Sequence, residues 1–282
     1  MPTLSLITAV VAGKHRHIGE TYRSLVGQEL PVGWDWEWLV QEDGDTGVPF
    51  AELPQDPRIS FGQGPRGCAA IARTLALGRA EGVLTRAVDA DDVLTPGALY
   101  RDITAIGEHG AAWVVSAAVD LLPDGIMRPG PRDPAPGPTA PGFFADGVAR
   151  GQLQVVAGTL CGYTNLIRAV GGWPAVPTQE DIQLLLAVEA VSSGCVAENV
   201  SLLYRRWPGS TTFGIDKSGM HYGDPAIAVS NIRRMEALRE CHWRWSGPPA
   251  LQGSPVALAV TDLGDRGTGP KPRPGANRAT CL

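Results

Sequence analysis

An α/β domain built on a largely parallel sheet is the fold this sequence predicts, and three observations carry it. Apolar runs of strand length alternate with segments of helical period through residues 4 to 119, a pattern that implies crossover connections between parallel strands. Two acidic turns, Glu42 to Asp45 and Asp89 to Asp92, each close a strand, and in parallel sheets ligands gather at the carboxyl ends of the strands. A chain of 282 residues is long enough to bury such a core within one domain.

Each element follows from its local pattern. Leu4 to Val11 is a continuous apolar and β-branched run, a buried strand ending at Ala12, Gly13 and Lys14. Ile18, Tyr22, Leu25 and Val26 recur at helical spacing, and Trp36 to Gln41 is a second strand that stops at the first acidic turn. Cys68, Ile71, Ala72, Leu75 and Ala76 carry a second helix closing near Gly82, and Val83 to Val88 forms the strand that delivers the aspartates. Pro96 to His109 is helical, with Leu99, Ile103 and Ile106 on one face, and Ala112 to Val119 is a further strand. Gly125 to Gly142 carries too many prolines for a helix or a central strand. Beyond it the pattern predicts a strand at Gln154 to Thr159 and a helix at Glu180 to Ser193 that is apolar on several sides. A short strand at Leu202 to Arg206 follows. Pro225 to Cys241 reads as an amphipathic helix with Ile232, Met235 and Leu238 inward and Arg233, Arg234 and Glu236 outward. From Ser246 proline and glycine dominate, apart from a strand-like Val256 to Thr261.

Bulk properties exclude several function classes. A formal net charge of −5 leaves no basic face for nucleic acid or an anionic membrane. No apolar run reaches transmembrane length and no leader opens the chain, so a cytoplasmic protein without membrane insertion is expected. The five scattered cysteines form no paired motif and are expected as reduced thiols.

Asp89, Asp91 and Asp92 place three carboxylates in four positions, an arrangement that costs repulsion and solvation unless a cation lies among them. Mg²⁺ and Mn²⁺ use one or two carboxylates and fill their remaining positions with water and substrate phosphates, so the motif points to a divalent metal and a diphosphate. A plainer reading competes, in which Thr95 caps a helix with Pro96 in its first turn and the acids merely precede it.

Taken in order, the motifs over residues 3 to 213 resemble those of the family 2 glycosyltransferases. The resemblance begins with Thr8 in the first strand and with Ser24, Leu25 and Gln28. It continues through the acidic turn Glu42-Asp43-Gly44-Asp45-Thr46, Ala72-Arg73, the aspartate motif, Gly171-Gly172-Trp173, Glu180-Asp181, and Arg205-Arg206-Trp207-Pro208-Gly209-Ser210. It implies a single A-type glycosyltransferase domain with a Rossmann-like, mostly parallel central sheet flanked by helices. Residues 1–245 would be catalytic, 1–120 binding the nucleotide and 121–245 the acceptor, with a partly disordered tail at 246–282. The implied reaction is inverting sugar transfer from a nucleoside-diphosphate sugar, hexosyl or N-acetylhexosaminyl, to a hydroxyl of a soluble small-molecule acceptor.

By the same resemblance Asp91 is the principal ligand of Mn²⁺ or Mg²⁺, and Asp89 faces the ribose or a water on the metal. Asp92 either braces them or caps the next helix, and His221 is a further metal ligand. Thr8, Val10, Glu42, Asp43, Arg73 and Ala90 are placed around the nucleotide, and Arg205 and Arg206 near the diphosphate. Asp181 is the general base, with Glu180 beside it, and Trp173 and Trp207 are candidate sugar-stacking faces. Thr178-x-x-Asp181 also fits a capping box. Val10 replaces a frequent aromatic, Thr74 a frequent asparagine, and Arg86 interrupts a normally apolar strand. His15 and His17 read as loop residues. A homodimer is compatible with this reading. Two rivals stand beside it: a nucleotidyltransferase, for which Ala12-Gly13-Lys14 is a poor phosphate loop, and a non-catalytic nucleotide-sugar binder.

Overall fold

The computed structural model describes residues 1–130, 133–210 and 225–248; His221 and Val256 to Thr261 lie outside them. In chain order the elements are β1 (Thr3–Val10), α1 (Ile18–Val26), β2 (Asp35–Glu42), β3 (Ile59–Gly62), α2 (Ala69–Arg79), β4 (Leu84–Ala87), β5 (Val93–Leu94), α3 (Ala98–His109) and β6 (Trp113–Leu121). Then come β7 (Met127–Pro129), β8 (Gly137–Pro138), α4 (Phe143–Ala149), β9 (Cys161–Tyr163), α5 (Thr164–Ala169), α6 (Glu180–Val191), β10 (Gly194–Arg205) and α7 (Pro225–Glu240). Single 3₁₀ turns occupy Val48–Glu52 and Ala157–Thr159.

One central sheet runs in the order β3-β2-β1-β4-β9-β6-β10-β5. Its first half is parallel, β1 pairing with β2 and β4, and β2 with β3. β9 is inserted antiparallel to both β4 and β6, and β6 and β10 are again parallel. β1 is buried along nearly its whole length, as a central strand covered on both faces requires. β2 supplies the fully buried Trp38, and Trp113 and Phe144 pack ring against ring in the second half.

Helices flank the sheet. α2 lies on β1 and β2 and α3 on β6 and β10, while α6 is enclosed by α4, α5 and α7. That enclosure explains why α6 is apolar on several sides: Leu184, Leu185, Leu186, Val188 and Val191 are all buried. α3 buries Leu99, Ile103 and Ile106 as its spacing predicts, but its start differs. Gly97 in the left-handed region precedes it, and the Thr95 hydroxyl donates instead to the Val200 carbonyl. The helix-cap reading of Thr95 is therefore corrected.

Other expectations need revision. Leu75 is exposed and α2 turns Ala70, Ala72, Arg73 and Ala76 inward, small residues that let the helix approach the sheet closely. Arg234 is half-buried, donating to the Val170 carbonyl rather than facing solvent. The strand expected at Gln154 to Thr159 is a loop closing in a 3₁₀ turn, because Val155 gains its burial by packing on the core without a ladder. The proline-rich stretch contributes two short edge pairings, β7 on β6 and β8 on β10. Pro129 and Pro138 are tolerated there because an edge position spares the missing N–H. β10 begins eight residues before the expected Leu202, its first part masked in sequence by Glu198 and Asn199, where the register shifts.

Arg86 interrupts β4 for a physical reason. Its buried guanidinium pairs with Asp102 of α3 and donates to Ser201 of β10, which shares a hydrogen bond with Ser116 of β6. Burial pushes the Asp102 carboxyl up despite Arg86 beside it. The network ties the strand that ends in the aspartates to the strand that ends at Arg205.

Gly194 opens β10 against the Trp113 indole, where an added Cβ would overlap the ring. Trp113 is fully buried and has no room to retreat. Gly194→Ala is expected to cost about 1–3 kcal/mol by overpacking; a thermal melt matching the parent would contradict this packing.

Candidate active site

The site is assembled at the carboxyl edge of β1, β2, β4 and β10, with the start of α6 closing against it. Its centre is Arg73, 9% exposed on the inner face of α2. One guanidinium nitrogen donates to Asp89 Oδ1 at 2.6 Å and the other to Glu180 Oε1 at 2.7 Å. Burial disfavours the charged arginine, but Asp89, Glu180 and Asp181 overcome it and hold its pKa above the ordinary value. Two acidic motifs 91 positions apart in sequence, at Asp89 and Glu180, thus meet on one side chain.

Around this bridge the aspartate motif is held from behind. Asp92 is 1% exposed and its Oδ1 accepts the Arg205 backbone N–H at 2.9 Å. Asp92 therefore braces the loop and does not cap α3. Burial raises its carboxyl well above the usual range, with the charges of Asp89 and Asp91 adding to the shift, and its Oδ2 has no hydrogen-bond partner among the described residues. Thr21 of α1 donates to the Asp92 carbonyl, fixing the loop from the other side. Asp91 accepts the Trp207 indole N–H at 2.6 Å on Oδ2; burial first, and then Asp89, raises its pKa.

The start of α6 presents the second acidic pair. Gln179, in the left-handed region at φ 62°, precedes the helix without a side-chain cap, and the Thr178 hydroxyl is buried without a partner among the described residues. The capping box does not form. Asp181 Oδ1 accepts the N–H of Ile182 at 2.8 Å. Burial raises the Asp181 carboxyl above its usual range, partly opposed by Arg73 and the Ile182 N–H. Glu180 is raised as well, by burial and by Asp181, against the pull of Arg73.

The acidic turn after β2 borders a cavity of about 250 Å³ lined by Val11, Ala12, Asp43, Thr46, Pro65 and Arg66, among others. Glu42 lines it as well, with its carboxylate engaged by the turn. It accepts hydrogen bonds from the Thr46 hydroxyl and the Gly47 and Thr46 N–H groups, with Gln63 more distant. These bonds outweigh burial and hold its pKa below the usual range. Glu42 shapes the turn, and Asp43 is the acid with capacity left: its Oδ1 accepts the Gly67 N–H at 2.6 Å.

Several expected residues occupy other roles. The Thr8 hydroxyl is wholly buried, donating to the Val88 carbonyl and accepting from Trp38, so its side chain ties β1 to β2 and to the end of β4. Val10 and Ala90 are buried as well, beside the cavity's lining residue Val11 and between the two site aspartates. Arg205 is committed: it pairs with Glu20 at 2.6 Å and donates to the Asp91 carbonyl at 2.7 Å. Arg206 is 9% exposed, lies over the Tyr204 ring, and its N–H bonds Leu121. Trp173 and Trp207 are both buried, Trp173 in the hydrophobic core, so neither presents an open stacking face.

Sequence reading missed Glu20, whose partner Arg205 lies 185 residues away. It also set aside His17, which packs edge-on against Trp207 and contacts Glu20 at 3.1 Å. The basic run Lys14, His15, Arg16 and His17 was the visible signal.

Among the described residues no group of three or more His, Cys, Asp and Glu is arranged to enclose a metal. The oxygen chemistry nevertheless fits a hard divalent cation held by one or two carboxylates, with phosphate and water completing the shell. Asp91 carries a raised pKa from burial and from Asp89, repulsion that a cation between them would relieve. Asp89 and Asp91 would hold it.

Neither a family model nor any curated protein matches the chain. Solved structures do. The first 349 residues of S. aureus TarS in complex with UDP-GlcNAc superpose with a TM-score of 0.63 at 17% identity, over 84% of this chain and 66% of that one. The same fragment with UDP gives 0.62 at 16%, over 84% and 65%. The two chains share one fold. Longer TarS is matched over 37% of its length and 73% of this chain, at 17% identity and a TM-score of 0.57. No described helix is long and apolar enough to cross a membrane.

Arg73→Ala leaves Asp89 and Glu180 without their shared cation. The expected cost is roughly 1–3 kcal/mol of stability at neutral pH, moderated by the partial exposure of Asp89. Without Arg73, which holds it down, the Glu180 carboxyl rises further above its ordinary value, so the variant regains more stability than the parent as pH falls through that value. Melts of parent and variant should therefore converge toward mildly acidic pH; a gap independent of pH would contradict the bridge.

Proposed function

We propose that this chain is a metal-dependent inverting glycosyltransferase, moving a hexosyl or N-acetylhexosaminyl group from a nucleoside-diphosphate sugar to a hydroxyl of a soluble small-molecule acceptor. The observation that carries the reading is Arg73 joining Asp89 to Glu180, which sets Asp181 beside the aspartate motif. Donor and acceptor chemistry need that juxtaposition, because leaving-group stabilisation and proton removal act on one anomeric carbon. A fold-mate that binds UDP-GlcNAc supports the donor class. Residues 1–120 form the nucleotide half and 121–245 the acceptor half in this reading.

The roles divide by position. Asp43 at the cavity mouth accepts from a nucleobase N–H. Asp89 and Asp91 would hold Mn²⁺ or Mg²⁺, which when bound would supply Lewis-acid neutralisation of the charge that builds on the leaving diphosphate. Asp181 takes the acceptor hydroxyl's proton as that oxygen attacks the anomeric carbon. The bond to the β-phosphate oxygen breaks, the nucleoside diphosphate leaves with the electron pair, and configuration inverts. Glu180 and Arg73 keep Asp181 in place and share its charge.

Calorimetry with UDP, GDP and TDP, with and without Mn²⁺, tests the donor half. One of them should bind in a metal-dependent manner, and Asp91→Ala should abolish the dependence; binding of none would sink the proposal. For the acceptor half, Asp181→Asn should lower kcat by about 10²–10⁴-fold with little change in donor KM. Burial lifts Asp181 above the usual aspartate range of about 3.9. A base must be ionised, so kcat should fall on acidification at a pH above that range, and turnover unchanged in Asp181→Asn would exclude the role.

A further inference from the structure

The proposed donor brings a diphosphate to an edge where the expected cations are already committed. Arg205 spends its guanidinium on Glu20 and on the Asp91 carbonyl, and Arg73 is shared between Asp89 and Glu180. A leaving diphosphate carries charge that one divalent ion does not fully balance. Another cation is needed within reach of the same edge.

The geometry points to Arg16 as the side chain that clamps the β-phosphate of the donor, an inference that rests on the glycosyltransferase reading. Arg16 lies in the loop between β1 and α1. That loop begins at Val11 and Ala12, which line the cavity beside Asp43, and ends at Arg16 and His17 against Trp207. It therefore runs from the nucleobase end of the cleft to the aspartate end, and Arg16 stands at the latter.

Three observations fix the guanidinium there. Its Cζ lies 4.2 Å from the centroid of the Trp207 ring, and the N–H of that indole donates to Asp91 Oδ2 at 2.6 Å. The same indole thus touches both Arg16 and Asp91. Arg16 Nε donates to His17 Nε2 at 2.8 Å, and His17 Nδ1 meets Glu20 Oε1, so a chain of contacts anchors the stem. The two terminal nitrogens have no hydrogen-bond partner among the described residues, and the side chain is exposed. A planar fork held by its Nε and by stacking, with both outer N–H pairs open, is the geometry that guanidinium uses to take a phosphate in two parallel hydrogen bonds. Stacking on Trp207 also limits the rotamer freedom lost on binding.

Calorimetry in the presence of Mn²⁺ compares each of UDP, GDP and TDP with its monophosphate for the parent, Arg16→Ala and Arg16→Lys. For the nucleotide the parent binds, Arg16→Ala should weaken the diphosphate by roughly 10- to 100-fold while shifting the monophosphate less than about threefold. Arg16→Lys keeps the charge but loses the fork and should fall between. Retained monophosphate binding shows that the variant is folded. Equal weakening of both nucleotides, or no change in either, overturns the clamp while leaving the glycosyltransferase reading intact. A parent that binds no diphosphate overturns both.

Discussion

One buried arginine joins the two acidic motifs at the carboxyl edge of the sheet. Arg73 sits on the inner face of α2 and satisfies carboxylates from two elements that share no strand pairing, the loop after β4 and the first turn of α6. Without it the second half of the chain would dock a helix that begins with two acids onto a loop that already carries three. Repulsion at low dielectric would oppose that contact. With it, the acids become the reason the halves meet. The raised carboxyls of Asp91, Asp92, Glu180 and Asp181 are the residue of that compromise: burial and mutual charge are only partly offset.

A division of labour among the arginines follows. Arg86 is a structural ion pair inside the sheet, joining the strand before the aspartates to α3 and β10. Arg205 braces the aspartate loop from behind, its backbone N–H on Asp92 and its side chain on Glu20 and the Asp91 carbonyl. Arg73 joins the two acidic motifs, and Arg16 faces outward on Trp207. Positive charge in this chain falls largely to arginine, lysine occurring three times, and its forked donors let one side chain serve two partners at once. The acids divide similarly: Glu42 folds its own turn, Asp92 holds a backbone, and Asp43, Asp91 and Asp181 keep capacity for a ligand.

The alternation of strand and helix was legible because period and length are local properties. β1, α1, β2, α2, β4, α3 and β6 all fall where apolar spacing puts them. Elements that lack such spacing were not legible. β3 has four residues and β9 three, too few to show a period, and α4 and α5 span seven and six. β10 hides behind polar Glu198 and Asn199 at a register shift. Arg86 reads as an anomaly in an apolar strand until Asp102, on the next helix, appears beside it.

The sequence by itself determined the parallel first half and the two acidic turns at its edge, because strand length, helical period and turn chemistry are written within a dozen residues. It also placed Asp181 at the head of a helix. Which acids remain free was decided only by tertiary structure. Glu42 and Asp43 are neighbours with the same chemistry, and Arg205, Arg206 and Arg16 all carry the same guanidinium. What separates them is the company each finds in the fold: Thr46 and Gly47 within the turn for Glu42, Gly67 for Asp43, Glu20 from α1 for Arg205, and Trp207 beneath Arg16. Partners far apart in the chain leave no periodic trace, so commitment and availability are properties of the fold.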